Sequence, residues 1–304
     1  MKIAVLGGGA MGGLYGGYLS RNNEVTLIDV NQGLIDKVNA EGLEIREPDG
    51  SSGIYHPKAV SSTAGMEPVD LIIVFVKAMF SESALTTNKG IIGPDTYIMT
   101  LQNGSGHEDT LGKFVDEAHI IIGTTQHNAN LGGLGITNHG GSGMTHMGCV
   151  TGDVTRLQKF ADVFTASGLD ADVNDGVQKM IWNKMFTNVS ASALTGALQV
   201  PLGYISQNEY AWALCQKLIR EAVDAAAGLG MEFDYDEKVA EVKAVCDNSP
   251  AGLTSIYADL RDGRRSEVDT ISGSVVRAGK KGGVPTPSHE FLVGMIHAME
   301  GRGK

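Results

Sequence analysis

Lys2–Gly13, KIAVLGGGAMGG, is the stretch that decides the fold. A short apolar run, Lys2–Leu6, is followed at once by Gly7, Gly9 and Gly12 in the spacing G-x-G-x-x-G. A helical pattern continues from Ala10 to about Leu19, and Glu24–Asp29, EVTLID, reads as a second strand with an acidic end. Strand, glycine turn, helix, strand and acid, in that order, are what a dinucleotide-binding turn requires. Gly7 permits the tight turn, Gly9 lets backbone approach a pyrophosphate, and Gly12 lets helix and sheet pack closely. The helix start, Gly8 with Ala10 and Met11, then presents N–H groups to the phosphates. The glycine spacing alone is a weak signal; the elements around it carry the reading.

Asp29 bears on the choice of cofactor. A carboxylate at this position accepts hydrogen bonds from the adenosine ribose hydroxyls and repels a 2′-phosphate. Positions 30–36 contain no Arg or Lys to bind that phosphate. Among NAD(P)H cofactors, NADH is therefore expected to be preferred. The plainer alternative is that Asp29 caps the next helix.

Working outward, Val69–Val76 (VDLIIVFV), Thr96–Leu101 (TYIMTL) and His119–Ile122 (HIII) are near-continuous apolar runs. Strands buried on both faces read this way. Ligands of open parallel sheets sit beyond the carboxyl ends of the strands. Gly7, Lys77, Asn103 and Thr124 are expected at such ends, converging on one crevice. As alternatives, Lys77 is a solvated lysine, Asn103 shapes a turn with Gly104, and Thr124 caps. Gly132–Gly148 contains ITNH and MTHMG, which suggest one antiparallel hairpin. His127, His139 and His146 fall in and around it with no metal-binding spacing, so no metal is expected. Asp153–Ser167 reads as a helix and Leu169–Val173 as the last strand, which puts a domain boundary near Asn174–Gly176.

Residues 1–174 thus form an α/β domain, and residues 175–304 read almost wholly as helix. In Gly176–Leu198, at about 100° per residue, Trp182, Met185, Phe186, Val189 and Ala193 form a core stripe. Lys179 and Asn183 point to a wet side. Lys184, Asn188, Ser192 and Thr195 form a third stripe, as a pocket wall would. An ammonium there can protonate a developing alkoxide, and Asn188 can bond the same oxygen. The bland alternative is a lysine that carries its charge out to water. Further helices are expected at Ser206–Ala227, Asp234–Cys246, Ser255–Arg261, Glu267–Ala278 and His289–Met299. Ser255 stands at a helix start, where an anion can be seated, or is an ordinary cap. Glu267 stands where an acid favours a helix dipole in any case.

Composition sets outer bounds. A chain of 304 residues makes two domains a soft prior. Cys149, Cys215 and Cys246 are scattered and odd in number, which argues against a disulfide framework or a zinc site. The formal charge of −11 disfavours nucleic acid as a partner. No apolar run is long enough for a membrane span, and the opening strand leaves no room for a signal peptide. A cytoplasmic protein is expected, with a homodimer left open.

The assembled motifs resemble those of the ketopantoate reductase family. They are VLGGGAMGG, the VKA at Val76–Ala78, LQNG at Leu101–Gly104, GTTQHNA at Gly123–Ala129, WNKMFTN at Trp182–Asn188 and the DLRDGRRSEVD stretch ending at Asp269. The resemblance implies a Rossmann-type N-terminal domain with an all-helical C-terminal domain. It implies hydride transfer from a reduced nicotinamide to the ketone of a small 2-oxo acid, 2-dehydropantoate first. By matched position Lys184 becomes the proton donor and Asn188 a substrate ligand. Asn103 and Lys77 line the cofactor and substrate site, and Ala129 contacts the cofactor. Ser255 seats the substrate carboxylate, and Glu267 sits by the nicotinamide ribose and the catalytic lysine. The chain departs from the pattern at Ser192, Leu202 and Gly252, where the family has asparagines, and at Asp29, where it has a basic residue. These departures favour, as an alternative, an NAD-dependent D-2-hydroxy-acid dehydrogenase for bulkier apolar 2-oxo acids. A non-catalytic dinucleotide sensor is the remaining alternative, though it needs no proton donor.

Overall fold

The computed structural model describes residues 1–302. The chain forms two compact units, one of Met1–Gln102 with His107–Gln178, the other running from Lys179 onward together with Asn103–Gly106. A single cut in the chain cannot express this division, because Asn103–Gly106 is detached from its sequence neighbours.

The first unit holds an eight-stranded sheet. Its strands are β1 (Lys2–Leu6), β2 (Glu24–Ile28), β5 (Lys58–Val60), β6 (Leu71–Val74), β7 (Tyr97–Thr100), β8 (Ile120–Thr125), β11 (Thr145–Cys149) and β12 (Ala171–Val173). The order β5-β2-β1-β6-β7-β8 is parallel throughout, the doubly wound dinucleotide-binding order. β11 then adds antiparallel to β8, and β12 parallel to β11. β1 and β6 are apolar because both faces are covered: Ile3–Leu6 and Leu71–Val74 are all buried. Around the sheet lie α1 (Ala10–Leu19), α2 (Gln32–Glu41), α3 (Ser81–Thr87), α4 (Glu108–Leu111) and α5 (Gln158–Ala166).

A second sheet, β4-β3-β10-β9, is formed by β3 (Leu43–Arg46), β4 (Ser52–Tyr55), β9 (Asn128–Gly133) and β10 (Ile136–Gly141). It packs on α1, whose glycines allow the approach. A Cβ on Gly13 would lie 2.5 Å from Thr137 Oγ1, and one on Gly17 2.7 Å from Ile45 Cδ1. Covered on both sides, α1 has no polar face.

This sheet corrects the expected hairpin. ITNH belongs to β10 and pairs with β9, whereas the THMG of MTHMG lies in β11 and pairs with β8 in the other sheet. Thr124 lies within β8 opposite His146, not at a strand end. The expected helix over Asp153–Ser167 opens with a 3₁₀ turn, Val154–Leu157, before α5.

The second unit is helical: α6 (Val177–Thr187, its first two residues belonging to the first unit), α7 (Ala193–Leu198), α8 (Leu202–Gln207), α9 (Glu209–Ala227), α10 (Tyr235–Asn248), α11 (Ser255–Arg261), α12 (Ser272–Gly282) and α13 (Pro287–Glu300). The expected core stripe of Trp182, Met185, Phe186, Val189 and Ala193 is buried in one cluster with Cys215, Ile219 and Val275. Side-chain caps fix the helix starts. Asn208 caps α9, Asp234 caps α10 and Thr254 caps α11. Glu221 accepts the Ser288 and His289 N–H groups at the start of α13, where the helix dipole favours a carboxylate. No described helix is long and apolar enough to cross a membrane. Among the described residues, no group of three or more His, Cys, Asp or Glu could hold a metal ion.

Candidate active site

In the first unit the glycine turn is fixed by lack of room. Gly7 has φ +100° and donates its N–H to Ile28 O at 2.8 Å. A Cβ on Gly7 would meet Val76 N at 2.8 Å, and one on Gly12 would meet Gly7 O at 1.8 Å. Gly9 faces open space, with nothing within 4 Å of where its Cβ would be. It precedes α1, which has neither a side-chain cap nor an acid in its first turn. The N–H groups at a helix start have no partner within the helix. An open approach, N–H donors and the positive helix end fit a dinucleotide pyrophosphate.

Asp29 follows β2 and is half-buried. Its carboxylate accepts Gly8 N–H at 2.6 Å and Asn31 N–H at 2.9 Å, one on each oxygen. The cap of α2 is Asn31, which accepts Leu34 N–H; Asp29 is not that cap. A carboxylate offers about four acceptor sites, so this one is held in place and can still accept from a ribose diol.

Lys77 is half-buried and precedes the 3₁₀ turn Ala78–Phe80. Gln102 ties this place to the end of β7: its Nε2 donates to Val76 O at 2.5 Å and its Oε1 accepts from Thr100 Oγ1 at 2.9 Å. Nothing in LQNG marks Gln102 for this role; only the pairing of β6 with β7 reveals its use. Ala129 is half-buried in β9, opposite His139 and packed against the core of this unit.

In the second unit Lys184, Asn188 and Ser192 lie on α6 and on the irregular helix turn that follows it. α6 does not run straight into α7, because Asn188–Ser192 form a π turn in which Ala193 N–H bonds back to Asn188 O. Lys184 is exposed and Asn188 half-buried one turn later. From the end of the π turn onward the stripe is buried: Ser192, the last residue of the turn, and Thr195 beyond it. The extra residue rotates the helix beyond it, which a uniform period cannot anticipate. Although Lys184 is open to water, the protein around it desolvates the ammonium and draws its pKa below that of an ordinary lysine. Such an acid gives up its proton more readily.

Asn103 is exposed at the head of a turn that only glycine can complete. Gly104 has φ +104°, and a Cβ there would lie 2.0 Å from Thr270 O. Ser105 N–H donates to that same oxygen at 3.2 Å, and Arg277 donates to Ser105 O at 3.1 Å. Thr270 in turn gives its N–H and its hydroxyl to Glu267 O. The turn that Asn103 opens is thus joined through Thr270 to the backbone of Glu267. Glu267 is half-buried in a run of turns, not at a helix start. α12 begins only at Ser272, which corrects the helix expected from Glu267. Ser255 is exposed as the first residue of α11; the cap is Thr254, whose hydroxyl accepts Tyr257 N–H at 3.3 Å.

The family model described as Ketopantoate reductase PanE/ApbA matches residues 3–152, and its C-terminal companion matches residues 176–300. The 2-dehydropantoate 2-reductase of Lactococcus lactis is 32% identical, over 99% of this chain and 98% of that protein. That of Halobacterium salinarum is 26% identical over the whole of both. Among solved structures, D-mandelate dehydrogenase with NADH and anilino(oxo)acetate is 32% identical with a TM-score of 0.88, covering 99% of this chain and 98% of that one. A PanE/ApbA family ketopantoate reductase from Ralstonia eutropha is 26% identical with a TM-score of 0.89, over the same shares.

Proposed function

The chain belongs to the ketopantoate reductase family, and from that premise we propose that it reduces a small 2-oxo acid to the D-2-hydroxy acid with NADH, 2-dehydropantoate being the first substrate to try. It is an oxidoreductase that takes a nicotinamide cofactor. The observation that carries the finer reading is Lys184, one turn before Asn188, with its pKa lowered by desolvation. When bound, the reduced nicotinamide supplies hydride. Lys184 as ammonium stabilises the charge developing on the ketone oxygen and then protonates it. Asn188 bonds the substrate, with Ser192 beside it, and Ser255 seats the carboxylate. Asn103 and Glu267 act together at the nicotinamide ribose and the lysine. Gly7–Gly12, Lys77 and Ala129 hold the cofactor, and Asp29 selects NADH. A homodimer working in the cytoplasm completes the proposal.

One observation favours a second substrate class. Leu202 and Gly252 replace family asparagines, and they pack on each other. Leu202 N–H donates to Gly252 O at 3.0 Å, and a Cβ on Gly252 would lie 3.0 Å from Leu202 Cδ1. An apolar side chain here suits a bulkier apolar 2-oxo acid, and D-mandelate dehydrogenase is among the similar structures. A spectrophotometric panel of 2-oxo acids with NADH and NADPH decides. Fastest turnover of 2-dehydropantoate supports the first reading, and preference for branched or aromatic 2-oxo acids supports the second. No oxidation of either cofactor by any of them refutes both and leaves a sensor.

A further inference from the structure

The π turn between α6 and α7 holds one residue more than an α turn, which rotates the chain beyond it by about 100° relative to a plain helix. The backbone is helical again on either side, with φ −65° at Thr187 and −64° at Ala193. Turns of this kind are rare and recur at functional sites. Here hydroxyls bond to carbonyls of the turn and of the residues beside it. Ser190 Oγ donates to Phe186 O. Thr195 Oγ1 donates to Ser192 O at 2.8 Å. Ser272 Oγ donates to Val189 O at 3.4 Å. All three side chains are fully buried, with 0% exposure, so each bond competes with no water. Thr254, the cap of α11, has its hydroxyl 2.7 Å from that of Thr195. The start of α11, and with it Ser255, is therefore tied to the same turn.

We propose that Ser190, Thr195 and Ser272 are positioning residues whose hydroxyls hold this π turn and so set the angle between the Lys184–Asn188 face and the Ser255 end of α11. The inference rests on Lys184 being the proton donor. Hydroxyls bonded back to helix carbonyls bend and loosen the regular ladder; without them the turn relaxes toward α geometry and Asn188 and Ser255 lose their relation. A misplacement of about 1 Å can cost about a hundredfold in rate.

Thr195→Val removes the hydroxyl at constant shape, and Thr195→Ser keeps it. The valine variant is expected to lose at least about tenfold in kcat. The pH above which its rate falls should also be displaced from wild type, while NADH affinity by fluorescence stays within about twofold. The serine variant should recover most of the rate and the wild-type profile. A folded valine variant with wild-type kcat and pH profile overturns the inference. If the valine variant does not fold, Ser272→Ala carries the test with the same readouts. A loss of about threefold or more with a displaced profile supports the inference, and an unchanged enzyme overturns it. Failure of the underlying reading looks different: wild type then reduces no 2-oxo acid, or Lys184→Met stays active, and both proposals fall together.

Discussion

Replacing Asp29 by alanine tests how the chain selects its cofactor. The carboxylate cannot swing away from an incoming 2′-phosphate, because Gly8 N–H and Asn31 N–H hold its two oxygens at 2.6 and 2.9 Å. At a separation of about 4 Å a pair of unit charges repels by ~1 kcal/mol in bulk water and ~4 kcal/mol at an effective dielectric of about 20. Asp29 is half-buried, so the penalty falls between these limits. The expected outcome is a preference for NADH of roughly tenfold or more in kcat/KM, since about 1.4 kcal/mol is tenfold. Asp29→Ala removes the repulsion and also the ribose hydrogen bonds, each worth about 1.5–3 kcal/mol when the acceptor is charged. Use of NADH should fall, use of NADPH should hold or rise, and their ratio should drop by at least about tenfold. Initial rates with both cofactors at fixed 2-oxo acid measure this. A wild type that uses NADPH as well as NADH, or an unchanged ratio in the variant, would show that the carboxylate does not face the ribose.

Three further outcomes rest on particular contacts. Gly104→Ala forces a left-handed residue against Thr270 O, at 2.0 Å from the new Cβ; it should cost about 2 kcal/mol or more in chemical unfolding and lower kcat by displacing Asn103. His289 is buried, with Nε2 on Leu218 O at 3.0 Å and Nδ1 without a hydrogen-bond partner, and burial lowers its pKa. The unfolded chain therefore takes up the proton first. Stability is fully present above the unfolded histidine value of about 6.5 and is lost as pH falls through the lower folded value; His289→Gln should flatten that loss in Tm measured against pH. Gly252→Asn alone should damage the enzyme, because its Cβ meets Ser249 O at 2.9 Å and Leu202 Cδ1 at 3.0 Å, and only the second contact yields to a change at Leu202. Together with Leu202→Asn the damage should shrink and 2-dehydropantoate should gain on apolar 2-oxo acids, and additive losses in kcat/KM would contradict the coupling.

The sequence is most legible where one physical requirement acts on contiguous residues. The glycine turn is such a place: Gly7 and Gly12 have no space for a side chain, and the strands on either side are buried on both faces. The core stripe of α6 is another, since Trp182, Met185 and Phe186 repeat with the helix and are buried. Legibility ends where partners are distant in sequence. β3 and β10 pair although nearly a hundred residues separate them in the chain, and nothing in ITNH names its neighbour. The helix expected from Glu267 starts at Ser272 instead, because Thr270 turns back onto Glu267 O and also accepts Ser105 N–H. Thr195 leaves its stripe because the π turn, which ends at Ser192, breaks the period, and the hydroxyls bonded to that turn include Ser272, far along the chain.

The central claim is that Lys184 supplies the proton. The direct measurement is kcat of Lys184→Met with NADH and the best 2-oxo acid, on protein shown to be folded. Methionine keeps most of the stem and removes the charge. General acid catalysis is worth about 10²–10⁴-fold, so kcat should fall by that much while NADH affinity changes little, and in wild type the reduction rate should decline as pH rises through the lowered lysine pKa. A folded Lys184→Met that keeps more than about a tenth of wild-type kcat at the same pH would contradict the account, and Lys184 would then be a lysine that only carries its charge to water.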